Sequence, residues 1–471
     1  MQRTNNKTAA VRAAVLGLTG WLSACAHYDA RPLDPEASAR ALQTRSLDDP
    51  ELLRFVAADL HRPVPLPRWD LAALTAVAVY ERPDMKIAED QVAMARAAQT
   101  TAAAWPNPVL TLSPTYNFSQ NYQVESISPS VTAVPTSPWS VGPVISQLIE
   151  TAGKRPAAIA EAGAQTEAAR ALLAVAKWQI RSQVRTAFID LWSAHQRLQL
   201  SRRNAALSDT YAQAISERYQ SGMVSAADLT ATQLGRNQAA LALAADQRQE
   251  QLAEAALATA LGVPQTAVVD LPIDWRSLGN VEAPAGLAEL QHKALITRPD
   301  VLAALARYEA SQAALQLAIA RQYPNLNIGP GYLYDQSDNK VVLGISLPLP
   351  IFNQNQGPIA AARAARHAAA AEFEQVQTTA LSQINTAVTD WDASHREAQR
   401  ARSVLGTAAD ARHREALAFK TGAADRLRLI GAELTQVQAE LSALSAAIHE
   451  RTALGQLEDA LHHPILGTEG T

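Results

Sequence analysis

The sequence predicts an α+β membrane protein built from two tandem structural repeats. Glu81-Arg82-Pro83-Asp84 opens one copy and Thr297-Arg298-Pro299-Asp300 opens the other. Each is followed by an Ala-rich helical stretch that stops at an aromatic-Pro-Asn triplet, Trp105-Pro106-Asn107 or Tyr323-Pro324-Asn325, and then by alternating strands. A very long helical run comes next, then Arg218-Tyr219-Gln220-Ser221-Gly222 or Ala418-Phe419-Lys420-Thr421-Gly422, then a last helix. Long helices with strands too few to close a sheet point to a membrane-spanning oligomer rather than an enzyme.

The bulk properties narrow the class. The chain has 471 residues, enough for two or three ordinary domains. A net charge of −4 argues against a nucleic-acid partner, which calls for a basic excess. Hydrophobic residues make up 48% but aromatic ones only 5%; alanine fills the gap, and alanine is the best helix former. Mean hydropathy is −0.10, unlike that of a polytopic helical membrane protein, and beyond the N-terminus no apolar run approaches a spanning helix.

The N-terminus reads as an export signal over residues 1–24. Arg3, Lys7 and Arg12 form a positive region without acids, and Ala13 to Leu22 is a short apolar core. Leu22-Ser23-Ala24-Cys25 resembles a bacterial lipobox, in which cleavage before the cysteine leaves its sulfur to carry lipid. The alternative is ordinary cleavage after Ala24-Cys25-Ala26. Cys25 is the only cysteine, so an intrachain disulfide or a thiolate metal cage is excluded.

The remaining elements follow in order. Residues 25–80 contain six prolines (32, 35, 50, 63, 65 and 67) and predict an irregular anchored arm with one helix over 69–80. Repeat 1 covers 81–262. Its first helix starts at Pro83, where the missing N–H costs little, and runs to about Ala104. From Val109 the period becomes two: Leu110, Leu112, Pro114, Tyr116 and Phe118 share a face opposite Thr111, Ser113, Thr115 and Asn117. Residues 139–149 alternate in the same way, and 119–138 predict a Ser/Thr/Pro-rich loop. Strands with one apolar and one small polar face suit a membrane barrel wall. Pro156 to Ser221 has no further proline and predicts a helix on the order of 100 Å long. Along it Ile180, Val184, Ala187, Leu191, Ala194 and Leu198 step by four and three, the spacing of supercoiled packing. A shorter helix spans 225–261, and 263–286 form a Pro-containing connector.

Repeat 2, residues 287–463, is the cleaner copy. Leu326, Ile328, Pro330, Tyr332 and Tyr334 oppose Asn327, Gly329 and Gly331; Val341 to Leu349 alternate likewise, and Asp335 to Asn339 make a short polar turn. A second long helix runs from Pro358 to Thr421, stepping through Ile384, Val388, Trp391, His395 and Ala398, with a partner over 424–461 and a tail at 464–471.

Four strands per chain leave open edges, and each unpaired backbone group in lipid costs several kcal/mol, so several chains must share one barrel. A dimer gives eight strands and a trimer twelve. The helices leave on the side opposite the hairpin tips and project from one membrane face. This arrangement resembles the TolC-like outer-membrane efflux family over about residues 70–462. The tandem repeat, the two aromatic-Pro-Asn triplets, the Tyr219–Leu229 and Phe419–Leu429 turns and Leu347-Pro348-Leu349-Pro350-Ile351-Phe352-Asn353-Gln354-Asn355-Gln356-Gly357 carry the resemblance. It implies a homotrimer with a twelve-stranded transmembrane β-barrel and a long periplasmic α-helical barrel. It also implies a periplasmic adaptor and an inner-membrane pump of RND type or similar. The Pro-Leu-Pro-Ile-Phe stretch is most similar to the CzcC-type branch, which exports heavy-metal cations; drug or small-organic efflux and type I secretion remain open.

Candidate site residues concentrate at the two helix turns. Gly222 supplies a left-handed helix end, Ser225 an N-cap. The resemblance makes Gly222, Met223, Val224, Ser225, Gly422 and Ala423 adaptor contacts. Asp228, Asp425 and Arg428 are candidate entrance charges, which threefold symmetry would gather into rings. TolC closes its entrance with a Tyr and an Arg where this chain has Phe419 and Ala424, so that lock does not carry over. Trp105, Tyr116, Trp139 and Tyr323 are candidates for the aromatic girdle at the membrane surface. His462-His463 are adjacent and do not face one site on a helix. No phosphate loop, nucleophile elbow, metal-ligand spacing or cofactor motif is present. The competing class is a lipid-anchored periplasmic coiled-coil scaffold or adaptor without a pore.

Overall fold

A computed structural model describes residues 28–119, 122–127, 130–135, 137–279 and 286–465. The expected signal segment and Cys25 lie outside these residues. Two units separate along the chain, residues 1–45 and 46–471. In the first, helix α1 (Pro35–Gln43) starts with Asp34, whose carboxylate accepts from the N–H groups of Glu36 and Ala37. In the second, α2 (Pro50–Leu60) starts in the same way at Asp49, and α3 (Leu71–Glu81) at Asp70. The arm is therefore more helical than its prolines predict. Pro35 and Pro50 occupy the first helical turn, where no N–H is needed, and each follows a capping Asp.

Seven further helices and eight strands build the body among the described residues. Helix α4 (Pro83–Ala103) leads to β1 (Val109–Leu112) and β2 (Thr115–Tyr116). After β3 (Tyr122–Ile127) and β4 (Ser130–Pro135), the chain returns through β5 (Trp139–Val141) and β6 (Pro143–Ile149). Helix α5 (Lys154–Gln220) has 67 residues, about 100 Å. It pairs with α6 (Ala226–Leu261). Two short 3-10 turns fill the connector before α7 (Leu287–Thr297) and α8 (Pro299–Ala320). Strands β7 (Leu326–Asp335) and β8 (Asp338–Ser346) precede α9 (Gln356–Lys420), of 65 residues, and α10 (Arg426–Leu461). Among the described residues no helix is long and apolar enough to cross a membrane.

In each repeat the long helix carries two short helices end to end. Toward the sheet α4 packs on α5, and α8 bridges α5 and α9. Toward the turns α6 packs on α5, and α10 bridges α5 and α9. The body is thus a strip with α4 and α6 along one flank and α9 along the other. All six stepped residues of α5, from Ile180 to Leu198, are buried, as their spacing predicts. The main apolar core sits at mid-length, where Leu71, Leu74 and Val77 of α3 close over Phe188, Leu257 and Leu261, and Leu454 and Leu457 of α10. A parallel bridge between Trp69 and Ile273 ties the connector to this belt.

The sheet is antiparallel, in the order β1-β6-β7-β8, with β2 and β5 continuing the first two walls. One register runs through the first hairpin, from Val109↔Ser146 to Tyr116↔Trp139, so the predicted strands are single walls broken at Ser113-Pro114 and at Gly142. Pro114 has no N–H for the ladder. The expected loop at 119–138 instead contains the β3–β4 ladder, from Tyr122↔Pro135 to Ile127↔Ser130. Its β-branched residues, Val124, Ile127, Val131, Thr132 and Val134, favour extended pairing over an open loop.

Candidate functional site

The two turns at the far end of the helical strip have the same construction. At the first, Gly222 lies at φ +74°, Gly222 N–H donates to Tyr219 O (2.9 Å) and Met223 N–H to Arg218 O (2.8 Å). At the second, Gly422 lies at φ +75°, Gly422 N–H donates to Phe419 O (3.1 Å) and Ala423 N–H to Ala418 O (2.8 Å). This double bond is the Schellman stop, and it leaves Met223, 67% exposed, at the apex. Val224 is half-buried, and Ser225, Gly422 and Ala423 are exposed.

The helices leaving the turns are capped differently. Ser225 and Asp228 form a reciprocal capping box: Asp228 N–H donates to Ser225 Oγ (3.1 Å), while Ser225 N–H (3.1 Å) and Oγ (2.6 Å) donate to the Asp228 carboxylate. These bonds, the hydroxyl's first, hold the Asp228 carboxyl below the usual carboxylate range. At the second turn Asp425 is itself the cap, accepting from Arg428 N–H (2.9 Å). Its carboxylate also takes the Arg218 guanidinium (2.8 Å), which crosses from the other turn, and that bond is the main cause of its lowered pKa. Arg428 turns back to Glu415 (2.8 Å). The three expected entrance charges are thus exposed at the turns, and each has a partner within the chain.

The structure also gives the Arg-Pro-Asp motif a job that its sequence did not reveal. Arg82 donates to Asp84, to Gln183 of α5 and to Ala260 O at the end of α6. Arg298 repeats this with Asp300, Gln383 of α9 and Ala460 O of α10. Each arginine pins the joint where two short helices meet end to end against the long one, and proline at the first position of the following helix fits that abrupt start. A second duplicated network lies farther toward the turns. His195 hydrogen-bonds Glu250 through Nδ1 (3.0 Å) and His395 likewise Glu450 (2.7 Å), both pairs 55 residues apart, and Gln199 or Gln399 meets the other ring nitrogen. Between the repeats, Arg181 and Arg185 reach the fully buried Glu458. Gly455 makes room for Arg185, because a Cβ there would lie 2.7 Å from Arg185 Nε.

The sheet presents two unlike faces. Leu110, Ile145 and Leu343 lie on one, with Leu112, Tyr332 and Val341, and all six are exposed. Thr111, Gly331, Gly329 and Gly344 lie on the other. A Cβ at Gly331 would lie 2.8 Å from Val144 Cγ2. Tyr116 and Trp139 pair edge to face at 5.0 Å, and Trp139 is 53% exposed. Trp105 and Tyr323 are exposed at the helix end of the sheet. Arg155 lies 4.1 Å over the Trp105 ring, and buried Lys154 donates to Tyr323 O (2.5 Å) and to Asn325 Oδ1. Among the described residues no group of three or more His, Cys, Asp and Glu side chains could hold a metal ion.

The comparisons with known proteins agree with this architecture. The cobalt-zinc-cadmium resistance protein CzcC of Cupriavidus metallidurans is 31% identical over 296 residues, 62% of this chain and 70% of that protein. Outer membrane protein OprJ of Pseudomonas aeruginosa is 26% identical over 318 residues, 65% of each. In fold, the crystal structure of the outer membrane protein VceC of Vibrio cholerae matches with a TM-score of 0.65 at 20% identity, covering 83% of this chain and 96% of that one. The family model described as "Outer membrane efflux protein" matches residues 75–263 and 290–462, one segment in each repeat, and the chain belongs to that family.

Proposed function

We propose that the chain is the outer-membrane exit duct of a tripartite efflux system, passively conducting substrate delivered by an inner-membrane pump of RND type or similar and a periplasmic adaptor. The observation that carries this reading is the open sheet with one exposed apolar face. Its unpaired edges and apolar surface suit a barrel shared with further copies and bathed in lipid. Three chains would contribute twelve strands, and the six helical turns would form the entrance. Gly222, Met223, Val224, Ser225, Gly422 and Ala423 would meet the adaptor there, with Asp228, Asp425 and Arg428 lining the opening. Trp105, Tyr116, Trp139 and Tyr323 would stand at the membrane surfaces, and Cys25 would carry lipid. The likeness to a cobalt-zinc-cadmium resistance protein supports heavy-metal cations as substrate. The duct performs no chemistry.

Reconstitution in planar bilayers tests the proposal. Purified protein should run as a trimer on native gels and produce discrete conductance steps. Asp228→Arg should lower the cation preference of that conductance, most at low salt, where the field of the charge reaches farthest. A monomer without conductance would instead support the scaffold reading.

A further inference from the structure

The two repeats leave the sheet by unequal routes. After β6 ends at Ile149, the chain reaches α5 at Lys154 through residues 150–153. After β8 ends at Ser346, it reaches α9 at Gln356 only through residues 347–355. The same passage is made in four residues in one repeat and nine in the other. The extra length is apolar: Leu347, Leu349, Ile351 and Phe352 are 47%, 70%, 68% and 95% exposed. A linker needs none of this, and so large an exposed cluster marks an interaction surface.

We propose that Leu347–Phe352 is a collar that inserts into the headgroup–acyl boundary of the membrane at the helix end of the sheet. This rests on the lipid-facing assignment of the sheet made above. Three features select a lipid surface as the occupant. First, the apolar alternation of β8 (Val341, Leu343, Ile345) continues in sequence through Leu347, Leu349 and Ile351 without a break. Second, the backbone is adapted to a medium poor in hydrogen-bond partners. Of the five residues 347–351, Pro348 and Pro350 have no N–H, and Ile351 N–H donates to Leu349 O (2.9 Å). The same prolines keep the segment from adding to a strand ladder of another chain. Third, its surroundings are those of a membrane surface. Pro348 shares a cavity with Tyr323, Lys154, Glu150 and exposed Arg321, and the polar run Asn353-Gln354-Asn355-Gln356 follows at once. An aromatic ring and a guanidinium beside apolar side chains suit the boundary between acyl chains and phosphate groups.

Spin labels on single added cysteines test this in the assembled protein in phosphatidylcholine–phosphatidylglycerol bilayers, with the unsubstituted protein labelled alongside to measure any signal from Cys25. Val341→Cys reports the wall of the sheet, Leu349→Cys and Phe352→Cys the collar, and Gln356→Cys the water side. Labels at 349 and 352 should collide with dissolved oxygen several-fold more often relative to a water-soluble nickel chelate than the label at 356, approaching the ratio at 341. A nickel-accessible label at 352, or an immobile one that neither reagent reaches, overturns the collar while the label at 341 still reports lipid. Loss of lipid access at 341 as well overturns the barrel reading and the collar together. Trimer on native gels certifies each variant, and agreement between 349 and 352 is required.

Discussion

At the scale of single residues, the most consequential feature is the arginine of the Arg-Pro-Asp motif. The Arg298 side chain is 5% exposed and ties three elements, whereas that of Arg82 is 15% exposed and its partner Asp84 is half in solvent. Truncation of Arg298 strands Asp300, Gln383 and the Ala460 carbonyl together. Arg298→Ala should cost about 3 kcal/mol, the lower end for breaking a buried pair. Arg82→Ala should cost about 1 kcal/mol, closer to one lost hydrogen bond. Apparent melting temperatures in detergent check the order. Burial pushes the Asp300 carboxyl up, but the bond and charge of Arg298 outweigh it and leave its pKa below 3.8. A lowered carboxylate pKa contributes stability that is complete above the unfolded value and is lost as pH falls through the native one. Asp300→Asn should therefore be less stable than the parent at pH 7, and the gap should close as pH falls below about 4. A gap that widens on acidification would refute the assignment.

At the scale of elements, legibility followed the range of the interactions. The buried seam of α5 could be read in advance because its residues recur with the period of the helix that they pack. The stops and caps of the helix turns were legible because their bonds are local, joining residues three to five apart, whereas the Arg218–Asp425 bond between the turns, 207 residues apart, was not. The Arg82 joint was not, because Gln183 and Ala260 lie 101 and 178 residues away. Helices α1 and α2 were hidden by reading proline as a breaker when Asp-Pro was a start signal. Glycine separates two kinds of element constraint. Nothing lies within 4 Å of a Cβ built at Gly222, so only its left-handed backbone resists substitution. Gly222→Val should cost about 1–2 kcal/mol and Gly222→Asn markedly less, because Asn tolerates that conformation. Amide exchange over 216–228 measures both, and equal effects would mean that side-chain volume rather than backbone is limiting. In the sheet the reverse holds. A Cβ at Gly142 would lie 2.4 Å from Tyr332 O, a backbone atom of the next wall, whereas one at Gly344 would be 3.5 Å from its neighbour. Gly142→Ala should prevent the first hairpin from pairing with β7 and reduce the yield of folded protein in the outer membrane. Gly344→Ala should leave that yield unchanged.

At the scale of the whole molecule, the strip of helices and the sheet share one property: both stop at open edges. Along one flank α4 exposes Ile87 and Met94, and α6 exposes Leu234 and Leu241, the last 71% exposed. On the opposite flank α9 exposes Leu381, Val404 and Leu417, with Val404 at 59%. Apolar residues spaced along both flanks are a liability in a lone chain and a seam in a closed ring. A heterologous contact, one flank against the other of the next copy, closes into a ring only where its rotation divides a full turn, as the proposed trimer requires. In that proposed ring a single charge on either flank would damage every seam at once. Leu241→Arg and Val404→Arg should each shift the protein from trimer to monomer in native mass measurements, while the helical content of each chain is retained, because both side chains lie outside the protomer core. Val404→Leu should leave the trimer intact. If the arginine variants remain trimeric and conduct normally, the flanks face solvent, and closure must rest on the sheet edges alone.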